Sequence, residues 1–149
     1  MEAIQFQKPE TVDEAVKLLQ NAEGDARILA GGTDLLVQLR AHMIDPGVII
    51  DIKSIEETRT LTKNGDGSYT IGSAVAGAEA HERDDITADW PGVVEAWDLI
   101  GSTQIQGRAS LGGNLCNASP AGDSVPAMVA AGMTANIAGP DGRRSIPVE

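Results

Sequence analysis

The stretch Arg27-Ile-Leu-Ala-Gly-Gly-Thr-Asp-Leu-Leu36 combines residue types that could hold an anion without a basic side chain. Ile28-Leu29-Ala30 is a short apolar run that predicts a buried strand. Gly31-Gly32 then gives a backbone free to take positive φ, and Thr33 or Asp34 stands where it could cap a helix continued by Leu35, Leu36 and Leu39. Strand, glycine bend and helix start together form an anion cradle. The first-turn N–H groups are unpaired, and the aligned peptide dipoles add about half a positive charge, so a phosphate could lie against bare backbone. A side chain at Gly31 or Gly32 would stand in its way. The same residues serve equally well as a tight strand-to-helix turn that binds nothing, and what favours the cradle is a second stretch of the same kind.

That stretch is Ser110-Leu-Gly-Gly-Asn-Leu-Cys-Asn-Ala-Ser-Pro-Ala-Gly-Asp-Ser124, where Gly112 and Gly113 sit among small hydrogen-bonding residues. It lies where the backbone is expected to turn between two helical regions. Two diglycine cradles could grip a diphosphate from both sides. Two N–H bonds from each, at about 1.5–3 kcal/mol apiece to charged oxygens, would sustain tight dinucleotide binding after the entropic cost of association. Asp123 would be repelled by a diphosphate and suits ribose hydroxyls or a ring N–H.

Other chemistries find less support. There is no G-x-x-x-x-G-K-S/T loop, and Ala30-Gly31-Gly32-Thr33 is not G-x-G-x-x-G. His42 and His81 have no metal-type spacing and read as surface or structural residues. Cys116 reads as a small buried thiol, because no neighbouring His or Lys would lower its pKa. Ser102, Ser110, Ser119 and Ser124 lack an evident base, and no G-x-S-x-G elbow occurs.

The elements that position these stretches follow from periodicity. Ile4 to Phe6 predicts a first strand, stopped at Lys8-Pro9. Thr11 and Glu14 have capping-box spacing ahead of Val12, Ala15, Val16, Leu19 and Ala22, which recur at helical intervals until Gly24. With the strand before Gly31, the helix after Gly32 and the run Val48-Ile49-Ile50-Asp51-Ile52, this is a β-α-β-α-β series, which implies a small parallel sheet. After Ile55, Thr58 to Lys63 and Ser68 to Ser73 flank Asn64-Gly65-Asp66-Gly67, a hairpin signal that opens a second, antiparallel lobe. Ala76 to Arg83 predicts a short helix, and Asp84, Asp85 and Asp89 a solvated acidic loop. Pro91 starts a helix that carries Val93, Val94, Trp97 and Ile100 and ends at Gly101, with Trp97 in the core. Ser124 to Ala131 predicts a helix, and Thr134 to Ala138 with Arg144 to Val148 a last hairpin. An open sheet edge so near Glu149 suggests a longer protein.

At 149 residues with 42% hydrophobic content, the chain can build one domain or two small lobes sharing a cleft. A net charge of -11 argues against nucleic acid or an anionic membrane as partner, and requires any phosphate to be held by local N–H groups. A single cysteine excludes an internal disulfide and any cluster or zinc site built from several thiolates of this chain. No apolar run approaches the ~20 residues of a membrane span, and no leader is seen. A cytoplasmic location, with no membrane insertion, is the expectation.

Ile28-Leu-Ala-Gly-Gly-Thr-Asp-Leu-Leu36, Gln104-Ile105 and Ser110 to Asp123 together resemble the FAD-binding subunit of molybdenum hydroxylases. That family includes the medium subunit of carbon monoxide dehydrogenase and the flavin domain of xanthine dehydrogenase. The resemblance covers essentially the whole chain. It implies an α+β fold of the PCMH/VAO-like FAD-binding type, truncated at its C-terminus. In it a small parallel βαβαβ lobe, residues 1–55, precedes a mainly antiparallel α+β lobe, residues 56–149. By the same resemblance Ile28, Leu29, Ala30, Gly31, Gly32, Thr33, Asp34 and Leu35, with Ser110, Leu111, Gly112, Gly113 and Asn114, would wrap the FAD diphosphate and adjoining groups. Ile100 would flank the adenine, and Asp123 would face the ribityl or flavin side. The family often has Gln-Ile-Arg-Asn where this chain has Gln104-Ile105-Gln106-Gly107, with Arg108 a possible substitute for the absent arginine.

The implied function is an oxidoreductase component. FAD would take electrons from a 2Fe-2S iron–sulfur subunit, served by a molybdenum-cofactor subunit, and pass them to NAD or another acceptor, with no catalytic acid, base or metal ligand required of this chain. Two alternatives remain: a stand-alone FAD-dependent oxidase or reductase of related fold, and a non-catalytic assembly module.

Overall fold

The computed structural model describes residues 4–149. Three short strands, β1 (Gln5–Gln7), β2 (Ala26–Leu29) and β3 (Val48–Asp51), form a parallel sheet of order β1-β3-β2. The register runs from Gln5 opposite Val48 on one side and from Ala26 opposite Val48 on the other. β3 is central, which explains its unbroken apolar run: Ile49 and Ile50 are buried, with Asp51 beside them.

Helix α1 (Val12–Asn21) makes the first crossover. The Thr11 hydroxyl accepts the Glu14 N–H at 3.1 Å, as its spacing predicts, but the Glu14 carboxylate reaches back to the N–H of Glu10 rather than to Thr11. Val12, Ala15 and Leu18 pack with Ile50, Ile52, Ile55 and Ala74 in one apolar cluster. Helix α2 (Leu35–Arg40) makes the second crossover and buries no residue fully.

A 3-10 turn (Ile52–Ser54) and α3 (Glu56–Arg59) lead out of the sheet. All strand pairing beyond this point is antiparallel: β4 (Leu61–Lys63) with β5 (Tyr69–Ile71), and β6 (Thr134–Gly139) with β7 (Gly142–Pro147). The first hairpin is shorter than the sequence predicts. Thr58 lies in α3, buried, where its hydroxyl donates to the Ile52 and Ile55 carbonyls.

Between the hairpins stand α4 (Gly77–His81), α5 (Asp84–Asp89), α6 (Pro91–Asp98), α7 (Thr103–Gln106), α8 (Leu111–Asn117) and α9 (Val125–Ala130). They enclose a second cluster around Trp97, with Val75, Ala80, Val93, Leu111, Met128 and Val148. Each large aliphatic side chain buried there stabilises the fold by about 1.5–3 kcal/mol relative to exposure. Trp97 is fully buried, and its indole N–H donates to the Ala109 carbonyl at 3.1 Å.

The acidic stretch after Arg83 is a helix rather than a solvated loop, and two of its carboxylates are engaged: Asp85 by the residue that caps the helix, Asp89 by the first hairpin. Asp85 receives the Arg83 guanidinium, whose hydrogen bonds hold its carboxyl far below the ordinary range. Asp89 accepts from Lys63 Nζ at 2.6 Å and from the Tyr69 hydroxyl at 2.9 Å, which fastens α5 to the first hairpin.

Candidate functional site

The two diglycine stretches meet. A Cβ placed on Gly31 would lie 2.0 Å from the Arg108 carbonyl oxygen and 3.3 Å from the Ala109 Cα, so the bend after β2 rests on the segment that enters Ser110. Bare backbone is what allows that approach. The purpose of Gly31 therefore differs from expectation: a side chain there would meet Arg108 before it met any ligand. Gly112 has the same character, since its Cβ would fall 2.7–2.8 Å from the Cβ, Cα and carbonyl oxygen of Ser73. Gly32 differs, with φ +81, a conformation that disfavours any side chain.

Ala109 is fixed from its other side. Its carbonyl accepts both the Gly77 N–H at 2.9 Å and the Trp97 indole N–H, so the Arg108–Ser110 segment is clamped between the glycine bend and the core. A second anchor, which the sequence analysis missed, holds the bend. Lys53 Nζ donates to the Ala30 carbonyl at 3.0 Å and to Asp51 Oδ1 at 2.7 Å. Burial pushes the Asp51 carboxyl upward, but the hydrogen bonds and charge of Lys53 outweigh it and the group sits below its ordinary value.

The segment after the first bend offers a run of donors. Among the described residues, no acceptor is found for the N–H groups of Gly31, Gly32, Thr33, Asp34 or Leu35; the first paired amide is that of Leu36, which bonds the Gly32 carbonyl at 3.0 Å. Neither Thr33 nor Asp34 caps α2 with its side chain, contrary to expectation. In the second stretch Gly112 and Gly113 lie inside the first turn of α8 rather than in a turn between helices. Ser110 caps that helix: its hydroxyl accepts the Gly113 N–H at 3.1 Å, leaving the Leu111 and Gly112 amides without an acceptor among the described residues. With helices of six and seven residues, these bare N–H groups are the principal anion-holding feature, and the dipoles add less.

The remaining candidate residues fall into two groups. Ser110, Leu111 and Ile100 are buried, so the first two have backbone to offer and Ile100 little surface of any kind. Asn114 is half-buried, and its carbonyl oxygen accepts from the Ser124 hydroxyl at 2.7 Å, which ties α8 to the start of α9. Leu29, Ala30, Gly31, Gly32, Thr33, Leu35, Gly112 and Gly113 are half-buried, while Asp34 and Asp123 are exposed. Ile28 is 39% exposed, because β2 is an edge strand and not the buried strand that its composition predicts. Cys116 is exposed as well, not buried. Arg108, also exposed, makes no ion pair among the described residues. The hollow beside Arg143 is lined by Glu10, Asp13, Glu56 and Glu57, carboxylates that would repel a diphosphate, and it includes neither glycine pair. No helix of the described residues is long and apolar enough to cross a membrane.

Known proteins resemble this chain in sequence and fold. The profile described as the FAD binding domain in molybdopterin dehydrogenase matches residues 2–149. The chain is 30% identical to the carbon monoxide dehydrogenase medium chain of Hydrogenophaga pseudoflava, over 97% of its own length and 50% of that protein. It is 33% identical to the xanthine dehydrogenase FAD-binding subunit of Escherichia coli O157:H7, over 96% of its own length and 49% of that subunit. Among solved structures, a carbon monoxide dehydrogenase from Hydrogenophaga pseudoflava that lacks the Mo-pyranopterin moiety superposes with a TM-score of 0.92 at 30% identity. That likeness covers 97% of this chain and 50% of the other. The chain thus spans about half the length of the curated relatives it matches. It belongs to the family of FAD binding domains of molybdopterin dehydrogenases, whose cofactor is FAD.

Proposed function

We propose that this chain forms the FAD-binding, electron-transferring part of a multisubunit molybdenum hydroxylase. It would accept electrons from an iron–sulfur subunit, fed by a molybdenum-cofactor subunit, and pass them to NAD or another acceptor. When bound, the isoalloxazine of FAD supplies the redox chemistry. The chain's own residues bind and orient it, in two lobes, residues 1–55 and 56–149, that share the junction at Gly31.

The observation that carries this reading is the unpaired amide run from Gly31 to Leu35, opening beside the segment that delivers the Leu111 and Gly112 amides. A diphosphate needs several donors converging without a bulky side chain between them, and this backbone fits that need. The site residues would be Ile28 to Leu35 and Ser110 to Asn114, with Ile100 toward the adenine and Asp123 toward the ribityl or flavin side. Of these, Ser110 and Leu111 would act through backbone, since the Ser110 hydroxyl is engaged by Gly113 and the Leu111 side chain lies in the core.

The full-length protein should bind FAD, give a flavin spectrum in the visible and lose it when Gly32 is replaced by valine, a substitution strained at φ +81, so circular dichroism of the variant accompanies the spectrum. Folded, full-length protein that stays colourless in excess FAD would refute the reading.

A further inference from the structure

The parallel ladder runs out at the Ala30 carbonyl. Leu29 is opposite Asp51, the last residue of β3, and the chain then leaves the sheet through the 3-10 turn Ile52–Ser54. The backbone donor that would have continued the ladder is carried away with it. Lys53 replaces that donor: its ammonium reaches back to the Ala30 carbonyl at 3.0 Å while Asp51 Oδ1 holds it at 2.7 Å. The same carboxylate oxygen accepts the Lys53 N–H at 3.0 Å, so Asp51 grips both ends of the lysine. The two side chains are only 22% and 10% exposed, which sets this pair apart from the mobile surface ion pairs that contribute little.

No peptide of the described residues is cis, and in a planar trans peptide the carbonyl and the following N–H point in opposite directions. Fixing the Ala30 carbonyl toward Lys53 therefore fixes the Gly31 N–H away from it. A diglycine bend has little else to hold its peptide planes, since neither residue has a side chain to lock. We propose that Lys53, gripped by Asp51, is a positioning residue of the cofactor loop: its ammonium pins the Ala30 carbonyl and so aims the Gly31 N–H at the diphosphate. The inference rests on the flavin reading above. Because Asp51 matches the lysine's charge, the contribution is orientation and not net attraction, and it falls on the diphosphate rather than on the ring.

The test compares FAD, ADP and riboflavin binding to the full-length wild type, Lys53→Arg, Lys53→Met and the double variant Asp51→Asn/Lys53→Met. Circular dichroism and thermal midpoints report folding. The double variant guards against misfolding caused by a buried carboxylate left without its partner. Lys53→Met and the double variant should lose about tenfold or more in affinity for FAD and ADP, keep riboflavin affinity, and leave the salt dependence of FAD binding unchanged. Lys53→Arg, which can still donate to both oxygens, should recover most of the loss. Folded methionine variants that bind FAD like the wild type would overturn the proposal, and so would equal losses for FAD and riboflavin, which mark a purely structural role. Wild-type protein that takes up no FAD would refute the flavin reading itself, and the positioning role with it.

Discussion

A Cβ on Gly31 would stand 2.0 Å from the carbonyl oxygen of Arg108, so the two glycine-rich stretches are joined backbone to backbone through the residues just ahead of Ser110. Gly31→Ala should therefore destabilise the fold by about 1–3 kcal/mol, the usual cost of forcing a methyl group into a packed contact. Gly92, with nothing within 4 Å of its Cβ position and an ordinary place in α6, is the control. Gly92→Ala should be neutral or add about 0.5–1 kcal/mol. Urea unfolding of both variants, compared at constant slope, checks the pair.

Two helix caps separate stability from binding. Thr11 and Ser110 each accept an N–H three residues on, from Glu14 and Gly113 respectively. Thr11→Ala and Ser110→Ala should each cost about 1 kcal/mol in thermal or urea unfolding. FAD affinity should fall several-fold for Ser110→Ala alone, because only that cap orders the turn carrying the Leu111 and Gly112 amides.

The Asp51–Lys53 pair carries a pH signature. The folded carboxyl titrates below its ordinary value of 3.8, so its stabilisation is fully present above that value and is lost as pH falls through the lowered one. Thermal midpoints of the wild type should drop through this acid range more steeply than those of Asp51→Asn. Parallel acid limbs in the two proteins would show that the pair contributes no such stabilisation.

Cys116 should react with a small disulfide reagent in the folded protein, without denaturant, since its side chain is exposed on α8. A thiol that titrates only after unfolding would contradict its placement.

Much of this was legible in the sequence where the signal is local. The Thr11 cap, the Pro91 helix start, the buried Trp97 and the antiparallel hairpins follow from spacing and turn chemistry that act within a few residues. What escaped depends on contacts across the chain. Asp89 belongs to a helix partly because Lys63 and Tyr69, twenty or more residues distant at the turn end of the first hairpin, donate to it. Ile28 looks like core by composition, yet strand order places it at an edge, and order is not written in a strand's own residues.

The glycine pairs show the same division. Their presence marked both stretches, but nothing local tells that Gly31 faces Arg108, or that Gly112 faces Ser73. Lys53 was invisible for a related reason. A lysine after a buried strand has the composition of a surface residue, and only the end of the β2–β3 ladder leaves the Ala30 carbonyl for it to take.

The most direct measurement of the central claim is an amide NMR titration of the full-length protein with FAD, in which the backbone signals of individual residues are followed. The amides of Gly31, Gly32, Thr33 and Leu35 should shift in concert with those of Leu111 and Gly112, at one common dissociation constant. Shifts confined to one of the two stretches, or FAD that moves neither, would contradict it.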